Sequence, residues 1–446
     1  MNTPICDFIS EYRKERPLRF HMPGHKGVSH LGMEAGDITE IDGADSLFHA
    51  SGIIRESEEN AGRLFGCNTF YSAEGSSLCI RSMLYLCVLL AKSRNQRPLI
   101  VAARNVHTTF LSAAALLDFD IHWLYPERSD SYLSAMITAA QVESWLSAAT
   151  EYPVALYLTS PDYLGMMADL SAIAQVCHRY GVLLVVDNAH GAYLKFLPHS
   201  MHPMDQGADL CCDSAHKTFP VLTGGAYLHI SHNAPGKMVT MAKQAMALFA
   251  STSPSYLILQ SLDAANPYLN TDYRKRLAYF TQLLQKMKQR LTEKGYTFIG
   301  NEPLKLTIHS SQYGYTGHAL ADRLKLHAIY AEFADPDYVV FMFTPDNSVE
   351  ELDTLEGALC DIPRQVPLAH CTPLPGRGTP VLSPRAAMLS PYESLPVAEC
   401  LGRVLANPSV GCPPAVPILV SGEVIDETAI ECFSYYGINQ MNVIIA

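Results

Sequence analysis

Short apolar runs that alternate with helical patterns constrain this chain more than any other feature. Residues 99–103, 154–159, 182–186, 208–212 and 226–230 are dominated by Val, Leu, Ile, Ala and Cys. A strand with one wet face alternates apolar and polar side chains, whereas an unbroken apolar strand is covered on both faces. Helical patterns separate these runs. Residues 76–92 place Leu78, Met83, Leu86 and Leu90 on one stripe, and residues 107–117 and 169–180 follow the same logic. Strand alternating with helix predicts an α/β fold with a mostly parallel sheet. Ligands of such sheets gather at the carboxyl ends of the strands.

Outside this region the pattern changes. The first fifty residues are rich in Gly, His and Asp and read as an arm with turns, after a short helix at residues 7–15. A long helical stretch at 272–294 reads as a connector. Strands at 304–309 and 339–343, with helices at 318–325 and 349–359, predict a smaller α+β domain. The remainder is Pro-rich at first (Pro373, Pro375, Pro380) and closes in short elements around 413–423. The expected division is 1–50 (arm), 51–265 (large domain), 266–365 (small domain) and 366–446 (C-terminal domain). There is no internal repeat and no low-complexity tract.

Composition removes several function classes. A chain of 446 residues with 48% apolar and 17% charged residues is not disordered. Its formal charge of −12 argues against nucleic acid as a main partner. No run approaches the ~18 apolar residues of a membrane span. The first twenty residues are polar and lack the apolar core of a signal peptide. The twelve cysteines are scattered without a C-x-x-C pair. Reduced thiols in a cytoplasmic protein are expected.

Four segments carry candidate chemistry. Lys217, in Asp213-Ser214-Ala215-His216-Lys217-Thr218, follows the strand ending at Cys212. It is either a nucleophilic amine at the mouth of the sheet or a solvated loop lysine. Asp187 ends the run 182–186 and precedes Asn188-Ala189-His190-Gly191. It is either a ligand carboxylate or a turn cap. Glu74-Gly75-Ser76-Ser77 opens a helix and offers free N–H groups to a phosphate, unless it is an ordinary N-terminus. His107 follows the strand 99–103 and either stacks on an aromatic ring or caps the next helix. His21 and His25 have no third metal ligand at suitable spacing, so no metal is expected.

Together these supply an amine, a carboxylate, a phosphate cradle and a stacking group. Their order is that of pyridoxal phosphate enzymes with the aspartate aminotransferase fold (fold type I). Further motifs narrow the resemblance. Residues 19–27 (Arg-Phe-His-Met-Pro-Gly-His-Lys-Gly) and 37–43 resemble the N-terminal signature of the Orn/Lys/Arg decarboxylases. Ser214-Ala215-His216-Lys217-Thr218 is similar to that family's Schiff-base motif, and Asp187-x-Ala189-His190-Gly191 to its ring-nitrogen motif. Residues 251–256 and 413–423 also resemble family segments.

The resemblance implies a pyridoxal phosphate enzyme that removes the α-carboxylate of arginine, lysine or ornithine. It implies that Lys217 holds the cofactor and Asp187 pairs with the ring nitrogen. It implies further that His107 stacks on the ring, and that Ser76, Ser77, Ser214, His216 and the backbone at Ala189 complete the cofactor site. Lys217 or His190 would return the proton to Cα. A homodimer with shared active sites is expected, with residues 251–255 reaching the partner. The chain departs from the family pattern at Asn188, where Glu is common, at Gly224-Gly225, at Thr108-Thr109 and at Cys412-Pro413-Pro414-Ala415. It resembles the short branch of the family, whose members are without the N-terminal wing domain of the large ones. Two alternatives stay open on sequence alone: another fold type I reaction, or a non-catalytic partner of an active decarboxylase.

Overall fold

The computed structural model describes all residues except 370, 409, 410, 412 and 446. Cys412, one of the departures noted above, therefore lies outside the described residues. The chain separates into two compact units, Met1–Gln96 with Leu170–Ala278, and Arg97–Asp169 with Tyr279–Ala446. In chain order the first elements are α1 (Pro4–Lys14), α2 (Ile53–Phe65), β1 (Asn68–Ser72), α3 (Gly75–Ser93), β2 (Leu99–Ala103), α4 (Thr108–Leu117), β3 (Asp120–Leu124) and α5 (Ala139–Ala148). They continue with β4 (Ala155–Thr159), α6 (Leu170–Arg179), β5 (Leu183–Asp187), β6 (Leu210–Asp213), α7 (Ala215–Thr218) and β7 (Ala226–Ile230).

In the first unit the strands lie in the order β1-β7-β6-β5. β5 and β6 are parallel, and β7 alone runs against its neighbours β6 and β1. Every residue of β5, β6 and β7 is buried, as their apolar sequences require. Helices α8 (Gly236–Ala247) and α9 (Tyr256–Asn270) complete this unit. Asp263 of α9 anchors α1 by accepting the backbone N–H groups of Ile5 and Cys6, each at 3.0 Å. The arm after α1 is mostly irregular, with two single 3₁₀ turns, as expected.

In the second unit β4, β2 and β3 form a wholly parallel set. The long helix α10 (Tyr273–Glu293) begins in the first unit and continues into this one. A four-stranded antiparallel sheet follows, with α11 (Gly317–Lys325) and α12 (Val349–Asp361). Ser348 and Glu351 start α12 with a reciprocal capping box. The end of the chain forms a three-stranded antiparallel sheet around Leu405, Phe433, Met441 and Val443.

All eleven described cysteines are free. Most are buried, and desolvation pushes the thiols of Cys87, Cys177 and Cys432 up to about 12.

Several elements escaped the sequence reading. β1 and β3 are short and mix polar with apolar residues, so neither shows a continuous run. α9 holds Pro267 inside it, which reads as a break. Lys217, read as either an amine at the mouth of the sheet or a loop lysine, lies on the single turn α7.

Candidate active site

The site is assembled where β5 and β6 end. Asp187 stands opposite Cys212 across this parallel pair, so both segments leave the sheet at one edge. The Asp187 carboxylate is 3% exposed. Its Oδ1 accepts the Ala189 N–H at 3.2 Å and the Cys212 thiol at 3.6 Å. The backbone then turns tightly, with Gly191 N–H donating to the Asn188 carbonyl at 2.8 Å. This turn delivers His190 to Lys217, and Nζ of Lys217 lies 2.8 Å from Nε2 of His190.

Lys217 reaches this position through α7, for which Ser214 is the N-cap residue. The Ser214 hydroxyl does not cap its own helix but donates to Oγ of Ser76 at 2.9 Å. The start of α7 is thereby joined to the start of α3. Gly75 opens α3 at φ +71° and donates its N–H to the Gly224 carbonyl at 2.7 Å. A Cβ on Gly75 would meet nothing within 4 Å, so the backbone here faces open space. Glu74 precedes the helix without capping it, and its carboxylate instead accepts the Ser251 N–H at 2.7 Å. The first turn of α3, which carries Ser76 and Ser77, thus presents an uncapped N-terminus suited to an anion.

His216 donates from Nδ1 to the Gly225 carbonyl at 2.9 Å, since a carbonyl can only accept. Burial lowers its pKa, and the charge of Lys217 adds to that effect, so the ring is neutral near pH 7. Gly225 is required here, because a Cβ would lie 2.3 Å from Val221 Cγ1. Sequence reasoning recorded Gly224 and Gly225 only as a departure and missed their contacts with Gly75 and His216.

His107 belongs to the second unit. It is the N-cap residue of α4, its Nδ1 accepting the Thr109 N–H at 3.1 Å. The capping alternative raised for this residue is therefore realised, with the ring plane fixed by the cap. Residues 251–255 contact their own chain through Ser251 and Glu74, and Ser255 caps α9. His21 and His25 are engaged separately, with Tyr12 at 2.6 Å and Asp37 at 3.3 Å.

A second buried cluster lay outside the sequence reading. Asp213, fully buried, accepts at Oδ2 from His202 Nε2 (2.9 Å) and His229 Nε2 (3.0 Å). His202, Cys211 and Asp213 could together approach a metal ion. However, His202 Nδ1 accepts the Met204 N–H, so Nε2 carries the proton and donates it to Asp213. The set is a hydrogen-bonded cluster.

Residues 3–301 match the family described as Orn/Lys/Arg decarboxylase, major domain. A Bacillus subtilis protein named arginine decarboxylase is 30% identical over 461 residues, covering 95% of this chain and 91% of its own length. A Halalkalibacterium halodurans protein of the same name is 30% identical, with 96% and 91% covered. Among solved structures, the Escherichia coli constitutive lysine decarboxylase superimposes with a TM-score of 0.78 at 20% identity. It matches 100% of this chain and 82% of that one.

Proposed function

The chain belongs to the Orn/Lys/Arg decarboxylase family, and from that premise we propose that it holds pyridoxal phosphate on Lys217 and converts arginine to agmatine and carbon dioxide. It is a fold type I enzyme that decarboxylates a basic amino acid. Arginine is favoured over lysine and ornithine because four relatives matched over 91% or more of their own length carry the arginine name, whereas two that carry the lysine name are matched over 39% and 41% of theirs.

One observation carries the cofactor assignment. A lysine amine, a buried carboxylate and a pair of joined serine hydroxyls meet at the ends of β5 and β6 and the start of α3. The residues fit the group. The open backbone at Gly75 and the uncapped first turn of α3 suit a phosphate, with Ser76 and Ser77 as donors around it and Ser214 orienting Ser76, while His216, its Nδ1 proton held by the Gly225 carbonyl, braces the edge of the cradle. Asp187 suits a ring nitrogen that must keep its proton.

When bound, pyridoxal phosphate supplies a sink for the electron pair left at Cα as CO2 departs. The protein's own residues do the rest. Lys217 would hold the cofactor through its amine. The Ala189 N–H holds the Asp187 carboxylate in orientation. Lys217 and His190, within hydrogen-bond reach, hold the proton that replaces the carboxylate at Cα.

We also infer a homodimer and a cytoplasmic location. A second copy of the chain covers the arm, where Leu18, Phe20 and Leu31 are 82%, 91% and 81% exposed, giving a homodimer. The free cysteines support a reducing, cytoplasmic location. The boundaries near 50, 265 and 365 remain our proposed division into arm, large, small and C-terminal domains.

The test is an absorption spectrum of the purified protein before and after borohydride, with mass mapping and product analysis. We expect a visible band lost on reduction, a pyridoxyl mass on Lys217, and equimolar CO2 and agmatine from arginine. A protein that takes up no added cofactor would overturn the reading and leave a non-catalytic partner. A keto acid product would indicate a different fold type I reaction.

A further inference from the structure

The departure at Asn188 has a structural counterpart 25 residues later. Asn188 Nδ2 donates to Asp213 Oδ1 at 2.6 Å, and both side chains are fully buried. Successive residues of a strand face opposite sides. Cys212 therefore shares a face with Asp187, and Asp213 lies on the other with Cys211, as the thiol contacts of both cysteines show. The Asn188–Asp213 bond thus clamps β5 to β6 from the side opposite Asp187. Asn188 directly follows Asp187, and Asp213 precedes Lys217 by four residues.

The clamp has a fixed polarity. Asp213 Oδ2 receives the two histidine N–H groups, and its other oxygen receives Asn188. His229 is held in turn by Thr69 Oγ1, 2.9 Å from its Nδ1. Burial disfavours the Asp213 carboxylate, yet the two imidazoles outweigh burial and hold its pKa below the ordinary range. Asn188 Oδ1 is buried and has no hydrogen-bond partner, so the amide is oriented by its donor end alone. A carboxylate at 188 would face a second carboxylate at this distance.

We infer that Asn188 and Asp213 are positioning residues, a donor and acceptor pair that sets the separation of Asp187 and Lys217. This rests on the reading of those two residues as the cofactor's partners. The pair acts through strand register and touches neither substrate nor cofactor.

An isosteric exchange tests it. N188D opposes two carboxylates, N188A removes the bond without adding charge, and N188D/D213N restores a donor and an acceptor with their places reversed. The readouts are the pyridoxal phosphate dissociation constant and the pH midpoint of the visible band on Lys217. Circular dichroism reports whether each variant folds. N188D is expected to weaken cofactor binding at least tenfold and to move the midpoint. N188A shifts both in the same direction by less, and the double variant returns to within threefold of wild type. If N188D does not fold, N188A decides. Unchanged affinity and midpoint in folded N188A would overturn the inference, as would a folded double variant no better than N188D. Wild-type protein that binds no cofactor would instead refute the underlying reading, and the inference with it.

Discussion

Nζ of Lys217 and Nε2 of His190, 27 residues apart in sequence, lie 2.8 Å from each other at the ends of adjacent parallel strands. The turn after Asp187 and the single turn α7 create this contact. Their pairing couples the proposed attachment point to an imidazole that can exchange a proton with it. His190→Ala is expected to retain the cofactor on Lys217 while kcat falls by about 10²–10⁴. The visible band and kcat, measured on the same preparation, check this. An unchanged kcat would remove His190 from the reaction.

The hydroxyls of Ser76 and Ser214 share one hydrogen bond. A charge-assisted bond to phosphate contributes about 1.5–3 kcal/mol, so losing either serine should weaken cofactor binding by about ten- to hundredfold. Because the two groups are in contact, Ser76→Ala and Ser214→Ala should combine less than additively. Fluorescence titration of the four proteins in the cycle measures both effects.

Glu58 is buried, and its Oε1 accepts the Tyr71 N–H at 2.8 Å and is ion-paired with Lys243. Lys243→Met would leave that carboxylate without its cation. Breaking a buried pair costs about 3–5 kcal/mol. Thermal melting should show a marked loss, and Glu58→Gln in the same background should recover part of it.

Asp335 supplies a pH-dependent destabilisation in the second unit. Burial pushes it up to about 7 against two opposing backbone N–H bonds, and Asp337 adds to the rise. An unfolded Asp loses its proton near pH 4. Between pH 4 and 7 the folded chain therefore binds more protons than the unfolded one, and stability falls as pH rises. Asp335→Asn removes this dependence. Variant and wild type should melt alike near pH 4, with the variant more stable at pH 8 by about 2–4 kcal/mol. Equal melting temperatures at pH 8 would contradict the assignment.

The sequence made the α/β alternation legible because β2 is apolar end to end and β4 and β5 are apolar up to their last residue, so they need no context to be recognised. Lys217, Asp187 and His190 were legible through their motifs, and Gly75-Ser76 through the glycine that opens a helix. What remained hidden depends on register. Nothing in the linear order says that Ser214 abandons its own helix for Ser76, or that Asp213 collects His202 and His229 from segments 11 and 16 residues away. α9 was obscured for another reason. Pro267 sits in its last turn, where buried Leu259, Leu262 and Leu269 carry the helix past a residue that disfavours it.

The cysteines make each unit report its own opening. Cys371 is the exposed thiol among those described, so a disulfide reagent should label it first and fast. Replacing it with serine would silence that background. Cys87 and Cys177 lie in the first unit and Cys432 in the second, all buried and pushed up to about 12. Each then reacts only when its surroundings come apart and the thiolate forms. Labelling rates at these positions, separated by peptide mass, would time the breathing of the first unit independently of the second. Adding pyridoxal phosphate should slow the first clock and leave the second running.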